Sequence, residues 1–168
     1  ILGYLIYNGG KSLSWAFFTH LPAPVGESGG GMANAIVGSF KLLLLAATVG
    51  VPVGLLGGLY LAEFGERTVP FIVRYMADLL NGVPSIVIGI FAYAVIVLRS
   101  RHFSTWAGGV ALGFMMVPIV LRSTEEFLRA VPRSMREGAM ALGASRWRMI
   151  ASVVIPAASR GIITAVLL

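Results

Sequence analysis

The side chains whose chemistry could act on a solute stand where one long apolar run ends. Arg122 directly follows that run, and Glu125 and Glu126 come three and four residues later, on the same helix face. A guanidinium offers a charge and a forked set of donors that suits a tetrahedral oxyanion, and Glu125 would temper its affinity so that the anion can leave. An ion pair within the helix explains the same three residues without any function, and both interpretations stay open.

A second group of polar residues, DLLNGVPS, opens another apolar run at 78–85. Gly82 and Pro84 should weaken or break a helix there. Backbone N–H groups freed at such a break can meet an anion at the positive end of the following helix, which makes Asn81 and Ser85 candidate contacts on a substrate path. The alternative is a simple helix start that Asn81 or Ser85 caps.

Composition predicts a membrane protein without a catalytic or metal site. Of 168 residues, 57% are hydrophobic and 12% charged, which is too apolar for helices that face water. The net charge of +6 is better explained by basic cytoplasmic loops than by binding to nucleic acid. An intramembrane enzyme needs paired carboxylates, a histidine cluster or a nucleophile with its base, yet the chain has no cysteine and only His20 and His102, both in predicted external loops.

The apolar runs predict how the chain crosses a bilayer. A span needs about 20 apolar residues, and three runs qualify as complete spans. They cover residues 35–61, 79–98 and 106–121. We also expect partial helices at both ends (1–7 and 157–168), an irregular external segment at 8–31 and a short polar connection at 63–74. Gly54 and Gly58 form a small-xxx-small step that permits close helix contact.

Basic residues predict the orientation of these spans. Because spans alternate, the 63–74 connection and the segment after the third span share a side. That side holds Arg67, Arg74, Arg129, Arg133, Arg136, Arg146 and Arg148, against Lys11, Arg99 and Arg101 on the other. Since Lys and Arg are retained in the cytoplasm, we expect residues of about 125–156 to form a cytoplasmic segment.

That segment contains a charged, amphipathic helix-turn-helix, EGAMALGASRWRMIASVVIP, at 137–156. Gly143 is predicted to end one helix, and Ser145 to cap a second that stops at Pro156. Trp147, Ile150 and Val154 are expected to share a face that docks into a partner, unless Trp147 merely marks the membrane interface. An ordinary surface hairpin is the alternative.

The spacing of this segment resembles the EAA signature of ABC importer permeases. The residues that carry it are Glu137, Gly138, Ala139, Gly143, Val153, Ile155 and Pro156, with Gly138 in place of the commoner Ala. The resemblance implies an all-α, polytopic transmembrane bundle of the MetI-like type, partial at both ends and forming one domain over 1–168. It also implies contact with an ATPase, for which the candidate residues are Glu137, Gly138, Ala139, Gly143, Trp147, Arg148, Ile150 and Pro156.

Further segments resemble the A-type permease family of phosphate-specific ABC importers (the Pst system). They read GESGGGMANAIVGS, GLYLAEF, DLLNGVPSIVIGIFAY and VPIVLRSTEEFLRAVPRSMREGAMALGAS. The resemblance implies phosphate import across a bacterial inner membrane by alternating access. The implied partners are a second permease subunit, a cytoplasmic ATPase dimer that carries the ATP and Mg, and an external phosphate-binding protein. It places Arg122 at a matching position in the family. A permease for another oxyanion or an amino acid, or less plausibly a passive channel or scaffold, is the alternative.

Overall fold

The computed structural model describes residues 1–27, 29–65 and 68–167, and every regular element within these ranges is helical. The chain divides into two compact units, Ile1–Leu43 and Leu44–Leu168. The helices are α1 (Leu2–Ser12), α2 (Trp15–Thr19), α3 (Ala33–Phe64), α4 (Thr68–Gly82), α5 (Ser85–Ser100), α6 (Thr105–Arg129), α7 (Arg133–Ala141) and α8 (Arg146–Leu167).

The first unit is more regular than its composition predicts. The expectation of an irregular segment over 8–31 is wrong in part, because α1 continues to Ser12 and α2 follows it. The Ser14 hydroxyl caps α2 by accepting a hydrogen bond from the backbone N–H of Phe17, at 3.3 Å. The backbone N–H of Met32 then donates to the carbonyl of Phe17, at 2.8 Å, so the end of the glycine-rich stretch is tied to α2.

In the second unit, α3 packs against α6 through its glycines. A Cβ added at Gly54 would lie 2.6 Å from the Cβ of Val120, and one added at Gly58 would lie 2.6 Å from the carbonyl oxygen of Leu121. Neither position has room for a larger residue, so the expected close contact at these glycines is present. This packing fixes the C-terminal half of α6, which carries the charged residues.

The predicted second span is broken where Gly82 and Pro84 stand. Helix α4 ends at Gly82, α5 begins at Ser85, and the two axes differ by 97°. Pro84 occupies the N-cap position, with no side-chain cap, so the alternative in which Asn81 or Ser85 caps the helix is wrong. The 63–74 connection is also shorter than predicted, since α4 begins at Thr68; Arg67 lies outside the described residues.

Helix α7 ends in the turn that the sequence predicts. Gly143 has φ +83°, a backbone conformation that a side chain disfavours. Its N–H donates to the carbonyl of Met140, and the N–H of Ala144 donates to the carbonyl of Ala139. This pair of bonds is the Schellman motif. The Ser145 hydroxyl then accepts from the N–H of Arg148 and caps α8, as predicted.

The prediction that Pro156 ends the second helix is wrong. A π-turn at Ile150–Val154 precedes the proline, and the N–H of Ile155 bonds back five residues to the carbonyl of Ile150. The wider turn moves the preceding carbonyls away from the position where a proline ring would clash with them. Helix α8 therefore continues to Leu167, so the last helix is long enough to be a span and is not limited to 157–168.

Three described helices are long and apolar enough to cross a membrane: α3, α6 and α8. The bent pair α4–α5 is a fourth if it counts as one span. The third predicted span, 106–121, is longer than expected because α6 runs on to Arg129. The charged residues that follow Leu121 thus belong to a rigid helix that is continuous with the span.

Candidate functional site

The carboxylate of Glu125 is the centre of an ion cluster. Its side chain is only 2% exposed, yet it contacts three guanidinium groups. Arg74 Nη2 lies 2.5 Å from Oε1, Arg129 Nη2 lies 3.1 Å from Oε1, and Arg122 Nη1 lies 2.8 Å from Oε2. Both carboxylate oxygens are therefore satisfied, which is the condition for burying a charge at low cost.

Arg122 joins this cluster to the more exposed side of α4. Its Nε lies 2.9 Å from Oδ1 of Asp78, whose side chain is 51% exposed. Three arginines thus face two carboxylates, an excess of one positive charge. Arg122 is 28% exposed and its Asp78 partner is half-exposed, so an outside anion can reach the cluster at this end. Arg129, which is 48% exposed, is accessible at the other end.

The sequence predicts only part of this cluster. The ion pair between Arg122 and Glu125 is present, whereas Glu126 is exposed on α6. The sequence does not predict that Arg74 and Arg129 join the cluster, and it indicates Asp78 only as part of the polar group at 78–85. The signal was the spacing of Arg74 and Asp78, four residues apart, which puts both on one face once residues 68–82 are helical. Asn81 and Ser85 are exposed on either side of the break in α4–α5.

The second candidate region is the elbow, which we define as residues 133–149: α7, the turn at Gly143 and the first turn of α8. Its large apolar side chains face outward. The exposed fractions are 45% for Met135, 46% for Met140, 91% for Leu142 and 67% for Trp147. Glu137, Gly138 and Arg148 are exposed as well. The elbow therefore presents a mixed apolar and charged surface, the composition of a docking face.

The other side of the elbow packs on the bundle. Ile150 is 2% exposed and Val154 is fully buried, in a cluster with Leu128, Val131, Met149 and Ala158, and Ala139 packs against this cluster. The prediction that Ile150 faces a partner together with Trp147 is wrong, because Ile150 packs inside the bundle whereas Trp147 is 67% exposed. Ile150 fixes the direction of α8 from inside. Pro156 is exposed within α8.

A second buried carboxylate ties the elbow to α3. Glu63, with a side chain 4% exposed, lies 2.5 Å from Nη1 of Arg136 on α7 and 3.9 Å from Nη2 of Arg146 on α8. Arg136 also donates to the carbonyl of Leu128, at 2.7 Å, and Arg146 to the carbonyl of Glu63, at 2.5 Å. The elbow is thus anchored at both of its helices to the end of α3.

Comparison with known proteins identifies the family. The model of the family described as "Binding-protein-dependent transport system inner membrane component" matches residues 50–168. The chain belongs to this family. The match includes the whole ion cluster and the whole elbow, so both regions are part of the shared permease domain.

Relatives within the family are similar along the whole chain. The phosphate transport system permease protein PstA of Yersinia pestis is 44% identical over 169 residues, covering 100% of this chain and 57% of the relative. PstA of Haemophilus influenzae is also 44% identical, covering 100% and 60%. The probable ABC transporter permease protein YqgI of Bacillus subtilis is 34% identical, covering 100% and 58%. The resemblance to A-type phosphate permeases is confirmed, and the chain spans about three-fifths of the length of these relatives.

Two solved transporter structures share the fold. The inward-facing MetNI methionine ABC transporter matches with a TM-score of 0.63 at 21% identity, covering 81% of this chain and 64% of that one. An amino acid ABC transporter with histidines matches with a TM-score of 0.64 at 22% identity, covering 98% and 67%. The expected fold, an all-α bundle of the ABC importer permease type, is confirmed.

Proposed function

We propose that the chain is part of the permease subunit of an ATP-driven importer that carries inorganic phosphate by alternating access. In this proposal the chain has no catalytic site, and ATP and Mg bind to a separate cytoplasmic ATPase dimer. A second permease subunit completes the path, an external phosphate-binding protein delivers the solute, and the bilayer covers the remaining apolar surface. The similarity to PstA proteins along the whole chain supports phosphate as the solute.

The elbow is the single observation that carries the transport mechanism. It presents exposed Met135, Met140, Leu142 and Trp147 outward, while Glu63 and the buried cluster around Ile150 hold it to the bundle. A rigid projection of this kind transmits a push from a docked motor to the helices behind it. We assign it to the cytoplasmic side of a bacterial inner membrane, because the basic residues are concentrated there. Glu137, Gly138 and Arg148 would set the register of docking at its rim.

The ion cluster offers a way to bind an anion weakly. A phosphate that reaches Arg122 competes with Asp78 for the Nε donor, while Nη1 stays on Glu125. The displaced Asp78 carboxylate stays close by and repels the anion, so that binding is modest and release is possible. Ser85 and Asn81, exposed at the break in α4–α5, would line the approach.

Uptake measurements test this function directly. In cells without other phosphate systems, we expect the assembled full-length importer to take up labelled phosphate in preference to sulfate or molybdate, and only when ATP is hydrolysed. Arg122→Ala should lower uptake at least about tenfold, the loss of one charge-assisted contact, while the complex still assembles. Arg160→Ala, which removes an exposed arginine of α8 outside the cluster, is the matched control.

Three results would contradict the proposal. Preference for another oxyanion or an amino acid would assign the permease to that solute. Flux without ATP would indicate a passive channel. Normal uptake by Arg122→Ala would show that Arg122 forms only a structural ion pair and does not contact the solute.

A further inference from the structure

Five arginines line one open cleft where α3 and α6 end and α8 begins. The cleft has a volume of about 680 Å³, and Arg74, Arg129, Arg133, Arg136 and Arg146 line it together with Glu63. Among the described residues, the lining therefore carries five positive charges and one negative charge. Glu125 also contacts two of these arginines, Arg74 and Arg129. When its charge is included, the arginines still exceed the carboxylates by three charges.

Three of these five guanidinium groups are fixed by main-chain contacts. Arg136 donates to the carbonyl of Leu128, Arg146 to that of Glu63, and Arg129 to that of Leu61, at 3.3 Å. Arg146 also lies over the ring of Phe64, with 4.8 Å from its guanidinium carbon to the ring centre. Side chains held in this way lose little entropy when they bind a ligand, so the cleft is organised before any ligand arrives.

Stability alone does not account for the concentration of charge. Anchoring the elbow to α3 needs one carboxylate and two partners, which Glu63, Arg136 and Arg146 supply. Arg133 is exposed in the first turn of α7 and faces the same cleft. Like charges around one cleft repel one another, and an anion that bridges them relieves that repulsion.

We propose that this cleft is a binding site for a phosphate group. Arg122 does not line it, whereas Arg74 and Arg129 line it and also contact Glu125. Guanidinium forks match the oxygens of a phosphate, and the volume admits either inorganic phosphate with its water or the headgroup of an anionic phospholipid. The two sources share this chemistry. The cytoplasmic placement of the site rests on the proposed function, whereas the binding itself does not.

Binding to the assembled importer separates the two sources. The full-length chain, in complex with its partner permease and the ATPase but without the external binding protein, is placed in nanodiscs of zwitterionic phosphatidylcholine. Binding of labelled inorganic phosphate is measured there and again in nanodiscs that contain phosphatidylglycerol. Native mass spectrometry counts the phosphatidylglycerol molecules retained on the complex.

Arg133→Gln is the test variant, and Arg160→Gln, an equally exposed arginine of α8 that does not line the cleft, is its control. We expect saturable phosphate binding in phosphatidylcholine that weakens about tenfold in Arg133→Gln and is unchanged in Arg160→Gln. Retention of phosphatidylglycerol that falls only in Arg133→Gln would support the same site with lipid as its source.

The proposal is overturned if neither phosphate nor phosphatidylglycerol distinguishes Arg133→Gln from Arg160→Gln. It is also overturned if Arg133→Gln changes only the assembly with the ATPase, because the cleft then belongs to a protein contact. Arg122→Ala should keep the binding in the cleft while uptake falls. A transporter that carries another solute, with phosphate binding in the cleft intact, would contradict the proposed function and leave this site standing.

Discussion

Two carboxylates of almost equal burial hold different parts of this molecule together. The side chains of Glu125 and Glu63 are 2% and 4% exposed, and each contacts more than one arginine. Glu125 joins α6 to α4 through Arg74, within the part of the bundle that would carry a solute. Glu63 joins the end of α3 to both helices of the elbow through Arg136 and Arg146.

The difference between them lies in what else supports their partners. Of the three arginines on Glu125, Arg122 also contacts Asp78 and Arg129 also donates to the carbonyl of Leu61, whereas Arg74 has no other acceptor among the described residues. Both arginines on Glu63 keep main-chain acceptors if that carboxylate is lost. Loss of Glu125 therefore leaves a guanidinium without a partner, and loss of Glu63 does not.

The largest effect is expected for Glu125→Gln. Removing the buried partner that three arginines share costs about 3–5 kcal/mol, because Arg74 loses its carboxylate and three like charges are left close together. Thermal unfolding of the purified full-length protein should show this loss. Glu126→Gln, the same change on the exposed neighbour, should have almost no effect, and equal losses for the two variants would mean that Glu125 is not the centre of the cluster.

A smaller effect is expected for Glu63→Gln. Arg136 and Arg146 retain their carbonyl partners, so the loss should be about 1–3 kcal/mol, as for a hydrogen bond to a charged group. Hydrogen exchange should become faster in α7, whereas Glu125→Gln should leave the exchange of α7 unchanged. If both variants accelerate exchange in α7 alike, the two carboxylates form one network and the comparison fails.

The smallest effect on stability is expected at the turn of the elbow. Gly143→Ala places a side chain at φ +83° and should cost about 1–2 kcal/mol. In the assembled importer it should also lower the number of solute molecules carried per ATP hydrolysed. The control, Gly89→Ala, should stabilise α5 by about 0.5–1 kcal/mol and leave coupling intact, since nothing lies within 4 Å of the added Cβ. Unchanged coupling in Gly143→Ala would show that the bend is not needed.

Features that depend on local backbone chemistry could be predicted from the sequence. Gly143 ends α7 and Ser145 caps α8, because a positive φ and an N-cap hydroxyl are properties of single residues. The break at Gly82–Pro84 follows from the same kind of argument. The bend of 97° could not be predicted, because α4 and α5 both pack on α6, which lies further along the chain.

Features that depend on distant parts of the chain could not be predicted. Arg74 and Glu125 are 51 residues apart, and only the packing of α4 on α6 brings them together. The burial of Ile150 could not be predicted, because helical spacing does not tell which part of an apolar face packs inside the bundle. The continuation of α8 past Pro156 could not be predicted, because nothing in the sequence indicates the π-turn that precedes the proline.

Helix α5 also contains a π-turn, at Tyr93–Val97. Like the π-turn of α8, it adds one residue to a helix of the same length. In α5, loss of one residue from Tyr93–Val97 would restore ordinary winding and keep both flanks on their present faces. In α8, the same loss from Ile150–Val154 would press the ring of Pro156 against the carbonyl four residues earlier. The extra residue of α5 is therefore not needed for the fold, whereas the extra residue of α8 provides the space that Pro156 occupies.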